Sequence, residues 1–301
     1  MTVTDDTPLG NDESDASTDV TRVAATYDRI ADHFAETRAH PWPEVVSFVE
    51  THGGASRSDD RGEETRQAGR AGQPGQPGQP GQAGQPGQPG QAGQPEQPGQ
   101  AGQPEQPGQT GSVDSPVSER SESAGRIGLD VGAGNGRHAE LLAEVTDRVV
   151  AVDVSRALLQ TARVRAEESG YADALAPVVG GAGALPAATD SVDVAVYVAT
   201  LHHLPTRARR VASLSELGRV LAPDGRGLVS AWSTAHDRFD ETEGFDTEID
   251  WTLPGGETVP RFYHVYDPAE FRADLRESSL TVERATVSSG NCYAVVSDRR
   301  D

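Results

Sequence analysis

The chain has 301 residues, 47 acidic against 26 basic, and a formal charge of -21. Every basic residue is arginine, and the single cysteine, Cys292, excludes an intrachain disulfide or a cysteine zinc cluster. No apolar run nears the ~20 residues that span a bilayer, and the acidic start MTVTDDTPLGNDESDASTD is unlike a signal peptide, so a cytoplasmic protein is expected.

Such acidity ordinarily argues against a polyanion partner. A proteome living in strong salt, where charge repulsion is screened, explains it equally well. The lysine-free, aromatic-poor composition is of the haloarchaeal, halophilic type, so the charge does not exclude RNA.

Residues 1–19 lack periodic apolar positions and read as a disordered acidic tail. Within residues 20–50, Val23, Tyr27, Ile30 and Phe34 recur at helical spacing, and Pro41 and Pro43 mark a break and the first turn of a second helix. Residues 51–124 form an insertion in which glycine recurs every third residue from Gly69 to Gly111, except at Glu96 and Glu105. A G-x-y repeat is what a collagen triple helix needs, but two glutamates would crowd its axis and three chains would be required. The tract reads instead as an extended, disordered Gly-Gln-Pro linker that carries no chemistry.

Residues 125–301 suit one α/β domain. Apolar runs predict strands at 126–131, 149–153, 176–180, 192–198 and 226–232, with helices at 136–144, 156–168, 207–221 and 268–277. The alternation implies a mostly parallel, Rossmann-like sheet with right-handed crossovers. LTVERATV and NCYAVVSD, joined by Ser-Ser-Gly, read as a C-terminal antiparallel hairpin.

The chemistry concentrates where the first strand meets its helix, in GLDVGAGNGR. A dinucleotide fingerprint, G-x-G-x-x-G, would place its last glycine at Arg137. The glycines are instead Gly132, Gly134 and Gly136, preceded by Asp130, and Asp153 ends the next strand. This pattern resembles the first motif of class I S-adenosylmethionine (SAM) methyltransferases. In that reading the glycines admit the methionine end of the cofactor, where a Cβ would collide. Asp130 takes its ammonium group and Asp153 its ribose hydroxyls, with an N-cap role as the alternative for Asp153. Gly181 stands where related enzymes often carry an adenine-binding acid, leaving backbone groups of Gly181 and Ala182 to substitute. His202 and His203 end the fourth strand near the expected methyl group and are evenly balanced between substrate contact and scaffold. Arg207, Arg209 and Arg210 open a helix against its macrodipole; pairing with local acids is weighed ahead of an anionic partner.

The segments YDRIADHFAETRAHPWP, LHHLPTRARR, WTLP, VPRFYHVY and GNCYAVV, in this order around the glycine block, resemble the tRNA wobble carboxymethyluridine methyltransferases. That family includes the methyltransferase domain fused to an AlkB-type oxygenase in animals. The resemblance covers residues 22–50 and 126–298 and implies methyl esterification of a carboxymethyl group on wobble uridine. It implies SAM as cofactor with Tyr27 beside it, tRNA as substrate, and no metal. The substrate-side residues it suggests are Arg38, His202, His203, Arg261, Tyr263 and His264. It also implies a small zinc-binding activator protein on the sheet edge, at the third strand. The alternatives at this point are a small-molecule SAM methyltransferase of the quinone-biosynthesis type and a non-catalytic scaffold subunit.

Overall fold

The computed structural model describes residues 12–54 and 125–299, with side chains from residue 20 onward. The Gly-Gln-Pro tract and residues 1–11 lie outside them. Helix α1 (Asp12–Thr37) begins inside the stretch read as tail, and α2 (Pro43–His52) follows after Pro41, with Pro43 in its first turn as expected.

From residue 125 the elements alternate: β1 (Ile127–Val131), α3 (Arg137–Val145), β2 (Arg148–Asp153), α4 (Arg156–Ser169), β3 (Leu175–Val179) and β4 (Val192–Val198). Then come α5 (Arg207–Val220), β5 (Leu221–Trp232), β6 (Phe245–Thr252), β7 (Thr258–Val265), α6 (Pro268–Glu277), β8 (Leu280–Ser288) and β9 (Asn291–Asp298). Seven strands form one sheet in the order β3-β2-β1-β4-β5-β9-β8. The first five are parallel, and β9 slots antiparallel between β5 and β8. The order reverses between β1 and β4, so a crevice opens at their carboxyl ends.

Mostly apolar runs make β1, β2 and β4 largely buried on both faces. Leu129, Val131 and Tyr197 pack with Leu214 and Leu217 of α5 and Phe271 of α6 on one side. Val149, Val194 and Val196 pack with Leu142 of α3 and with Val45, Phe48 and Val49 of α2 on the other. Helix α2 therefore belongs to the core of the sheet, although the whole insertion separates it in sequence from β1.

Two departures from the sequence reading matter. Strand β5 begins at Leu221 rather than 226. Between the strand predicted at 226–232 and the helix predicted at 268–277 lies a hairpin, β6 paired antiparallel with β7 from Phe245↔Val265 to Thr252↔Thr258. At the other end of the domain, the Arg126 guanidinium donates to the Gly53 carbonyl, and its backbone N–H donates to the Asp147 carboxylate. The chain therefore leaves after Gly54 and returns at Gly125 from adjoining points. Among the described residues no helix is long and apolar enough to cross a membrane.

Candidate active site

The turn after β1 is shaped by its glycines. Gly132, Gly134 and Gly136 hold φ of +72°, +53° and +75°, a region costly for side-chain-bearing residues. A Cβ on Gly132 would collide with the Thr200 side chain. The N–H groups of Gly132 and Ala133 donate to the Val152 carbonyl, pinning the turn to the end of β2. Asp153 then holds it from the side: its Oδ2 accepts from Gly134 N at 2.8 Å and its Oδ1 from Ser155 N at 2.8 Å. A carboxylate has about four acceptor sites, so roughly two stay available for hydroxyls. The cap of α4 is Ser155, which accepts from Leu158 N; the N-cap alternative for Asp153 falls away.

Asp130 is buried at the carboxyl end of β1, and its Oδ2 has no hydrogen-bond partner. Burial pushes its carboxyl up to about 7, opposed by the neighbouring Arg137 guanidinium. Burial likewise raises Asp153 to about 6. A desolvated acceptor beside a Cβ-free turn suits a small ammonium group, which would meet that oxygen and hold the carboxyl ionised. The residues present therefore fit the methionine end of SAM.

Helix α1 lies across this crevice. Asp28 Oδ1 accepts from Ser155 Oγ at 2.7 Å and from Ala157 N at 2.9 Å, tying α1 to the start of α4. The Asn135 side chain donates to the Arg38 carbonyl at 3.1 Å. Tyr27 reaches the opposite wall, with its hydroxyl 2.7 Å from His203 Nε2. Because His203 Nδ1 faces the Phe262 carbonyl at 2.8 Å, the proton sits on Nδ1 and Tyr27 is the donor to Nε2. His202 Nδ1 accepts from the Trp232 N–H at 2.9 Å. Burial holds His203 down to about 4 and His202 well below its ordinary value, so both are neutral at pH 7.

Strand alternation decides the β7 residues. Arg261 and Tyr263 face the cleft: the Arg261 guanidinium lies 4.8 Å from the Trp251 ring centre and 5.1 Å from that of Tyr263. Arg38 lies 5.2 Å from the same Trp251 ring. Neither arginine has an ion-pair partner among the described residues. His264 points the other way. It is clamped between Asp246 at 2.7 Å and Glu270 at 2.9 Å, outside the cleft, so its reading as a substrate-side residue is corrected to an anchor of the hairpin. Arg207 pairs with Asp274 and Glu277, and Arg210 sits near Glu270 and Asp274, so these two are committed to local acids.

The cleft encloses about 900 Å³ and runs continuously from the glycine turn past Gly181 and Ala182 to His202, Arg261 and Tyr263. A Cβ at Gly181 would meet nothing within 4 Å, so no steric demand fixes that glycine. His33, whose Nδ1 accepts from Trp251 Nε1 at 3.0 Å, enters sequence reasoning only within the YDRIADHFAETRAHPWP block, and His236 and Arg238, which stand beside Trp232, escape it. Trp251 enters that reasoning only within the WTLP block. Its signal is the even spacing along β6, visible once β6 is known to pair.

Residues 129–229 match a methyltransferase-domain family model, and residues 60–118 match a collagen triple helix repeat model. The second match falls on the tract outside the described residues. The chain is 34% identical over 110 residues to tRNA (carboxymethyluridine(34)-5-O)-methyltransferase ALKBH8 of Macaca fascicularis, covering 36% of this chain and 15% of that protein. It is 26% identical over 146 residues to the Saccharomyces cerevisiae tRNA (carboxymethyluridine(34)-5-O)-methyltransferase, covering 47% of this chain and 50% of that one. The matched segments thus span half or less of these relatives. Among solved structures, the CcbJ methyltransferase from Streptomyces caelestis aligns with a TM-score of 0.49 at 18% identity, over 59% of this chain and 85% of the other. With the sheet order, the glycine turn and the family match together, the chain carries a class I SAM-dependent methyltransferase domain.

Proposed function

We propose that this enzyme methyl-esterifies the carboxylate of a carboxymethyl group on the wobble uridine of tRNA. The observation that carries the reading is Arg261, a guanidinium held against Trp251 and Tyr263 with no acid beside it, inside a chain of net charge -21. An anion is the natural occupant, since a guanidinium makes charge-assisted hydrogen bonds to a carboxylate oxygen. The names of the curated relatives support the choice of carboxylate.

SAM supplies an electrophilic methyl group on a sulfonium. A substrate carboxylate is already ionised at neutral pH, so the site needs no general base. Methyl transfer to it would turn the carboxylate into a neutral ester and the sulfonium into a neutral thioether, so the residues of the site would have no proton to move. The protein's part is alignment. Arg261 would hold one carboxylate oxygen while the other faces the methyl group. Neutral His202 and His203, with Tyr27 and Tyr263, would form the wall that orients the uracil ring without competing for the anion.

A small zinc-binding activator protein pairing with β3 belongs to the same reading. β3 is an edge strand, and Val179 on it is 48% exposed, as is Val164 (45%) on α4, which packs against β3. Uncovered edges invite pairing.

Mass spectrometry of tRNA nucleosides from a strain lacking the gene tests the reaction. The free carboxymethyl acid should accumulate and the ester disappear; an unchanged ester would overturn it.

A further inference from the structure

Arg38 and Arg261 share the Trp251 ring, yet their attachments differ. Arg261 rides on the β6–β7 hairpin, whereas Arg38 is fastened to the glycine turn. Its carbonyl accepts from the Asn135 side chain, and Phe34, one helical turn earlier, lies 3.4 Å from where a Cβ on Gly134 would stand. The other guanidiniums near the turn are engaged. Arg137 is buried, neighbours Asp130 and lies 5.6 Å from the Trp42 ring; Arg165 is bound to Glu140 at 2.8 Å. Among the described residues, Arg38 is the cation there without an acid.

The amino-acid end of SAM carries a carboxylate on the same carbon as its ammonium group. If Asp130 receives the ammonium, the carboxylate falls beside the turn and needs a cation from that side. We infer that Arg38 binds the carboxylate of the cofactor, leaving Arg261 for the substrate, with Trp251 as the wall between two anion sites of one cleft. This departs from the substrate-side role read from the sequence, and it rests on the cofactor alone, not on the RNA reading.

Calorimetric titration of the full chain with S-adenosylhomocysteine and with its decarboxylated analogue, 5'-(3-aminopropylthio)adenosine, tests it. For Arg38→Met, the dissociation constant for the first should rise about 10- to 100-fold, while that for the analogue, which keeps the ammonium, should stay within about twofold. Arg261→Met should leave both ligands within about twofold. Arg38→Lys, which keeps the charge, should fall between wild type and Arg38→Met for the first ligand only. Equal changes for both ligands in Arg38→Lys, or no change for S-adenosylhomocysteine in Arg38→Met, overturn the assignment. Since no RNA is present, failure of the wobble-uridine reading would leave these results untouched.

Discussion

Asp130 stores an electrostatic cost that ligand binding would relieve. Its pKa moves from 3.8 to about 7 through burial. A raised acid pKa means the folded state disfavours the ionised form. The penalty is absent below the unfolded pKa, grows as pH rises, and is complete above about 7. Roughly three units at 1.36 kcal/mol each amount to about 4 kcal/mol. Asp130→Asn removes the charge but leaves an amide to satisfy, which returns about 1–3 kcal/mol of that. The variant without ligand should therefore be more stable than wild type at pH 8, by about 1–3 kcal/mol, and no more stable at pH 4. Saturating S-adenosylhomocysteine should reverse the order at pH 8, because only the wild-type carboxylate gains from the ammonium. Between pH 8 and about 6.5, above the range where Asp153 takes up its proton, wild-type affinity should weaken as pH falls through the Asp130 titration, and this slope should vanish in the variant. Denaturant melts at constant salt, with and without ligand, read these quantities. A ligand-free variant less stable than wild type at pH 8, or an affinity slope kept in Asp130→Asn, would refute the reasoning.

Gly132→Ala drives a Cβ into the Thr200 side chain at a φ of +72°. Cofactor binding should be lost and stability reduced by about 3 kcal/mol or more; tight S-adenosylhomocysteine binding by the variant would contradict this. Arg261→Met should cut kcat/KM on carboxymethyluridine tRNA at least about 100-fold, the loss of a charge-assisted pair. A normal rate in single-turnover assays would remove Arg261 from the substrate site. His264→Gln loosens the clamp to Asp246 and Glu270, which should cost about 1–3 kcal/mol. Hydrogen exchange across residues 245–265 should quicken while that of β1 and β4 does not; uniform exchange would show that the clamp does not hold the hairpin.

The sheet was legible because β1, β2 and β4 are mostly apolar runs that tolerate burial on both faces, each broken or ended by a single acid, Asp130, Asp153 or Asp193, and the glycine turn marks where β1 stops. The β6–β7 hairpin was not. FDTEIDWT does alternate, which is a strand signal, but its outer face is Asp246, Glu248 and Asp250, residue types depleted in strands, and they hid it. The same gap misplaced His264. Period-two alternation puts Arg261 and Tyr263 on one face and His264 on the other, but only after the strand is recognised. The roles of Asp153 and Ser155 were separable in principle, since Ser155 stands one residue before α4. That Asp153 also braces the Gly134 N–H required the folded turn. The placement of α1 over the crevice lay in long-range contacts, such as Asp28 with Ala157, that no local pattern encodes.

The meeting of Gly53 with Arg126 gives the insertion a particular character. The described chain stops at Gly54 and resumes at Gly125, beside the contact of Arg126 with Gly53, so the insertion joins two adjoining points of one domain. Loop-closure entropy grows only logarithmically, about 0.6 kcal/mol per doubling, so trimming the insertion eightfold alters the balance by about 2 kcal/mol. The register of β1 with β2 and β4 is set by pairs that lie beyond the junction. On that arithmetic a variant with a shortened insertion should keep its cofactor affinity, which titration with S-adenosylhomocysteine reads.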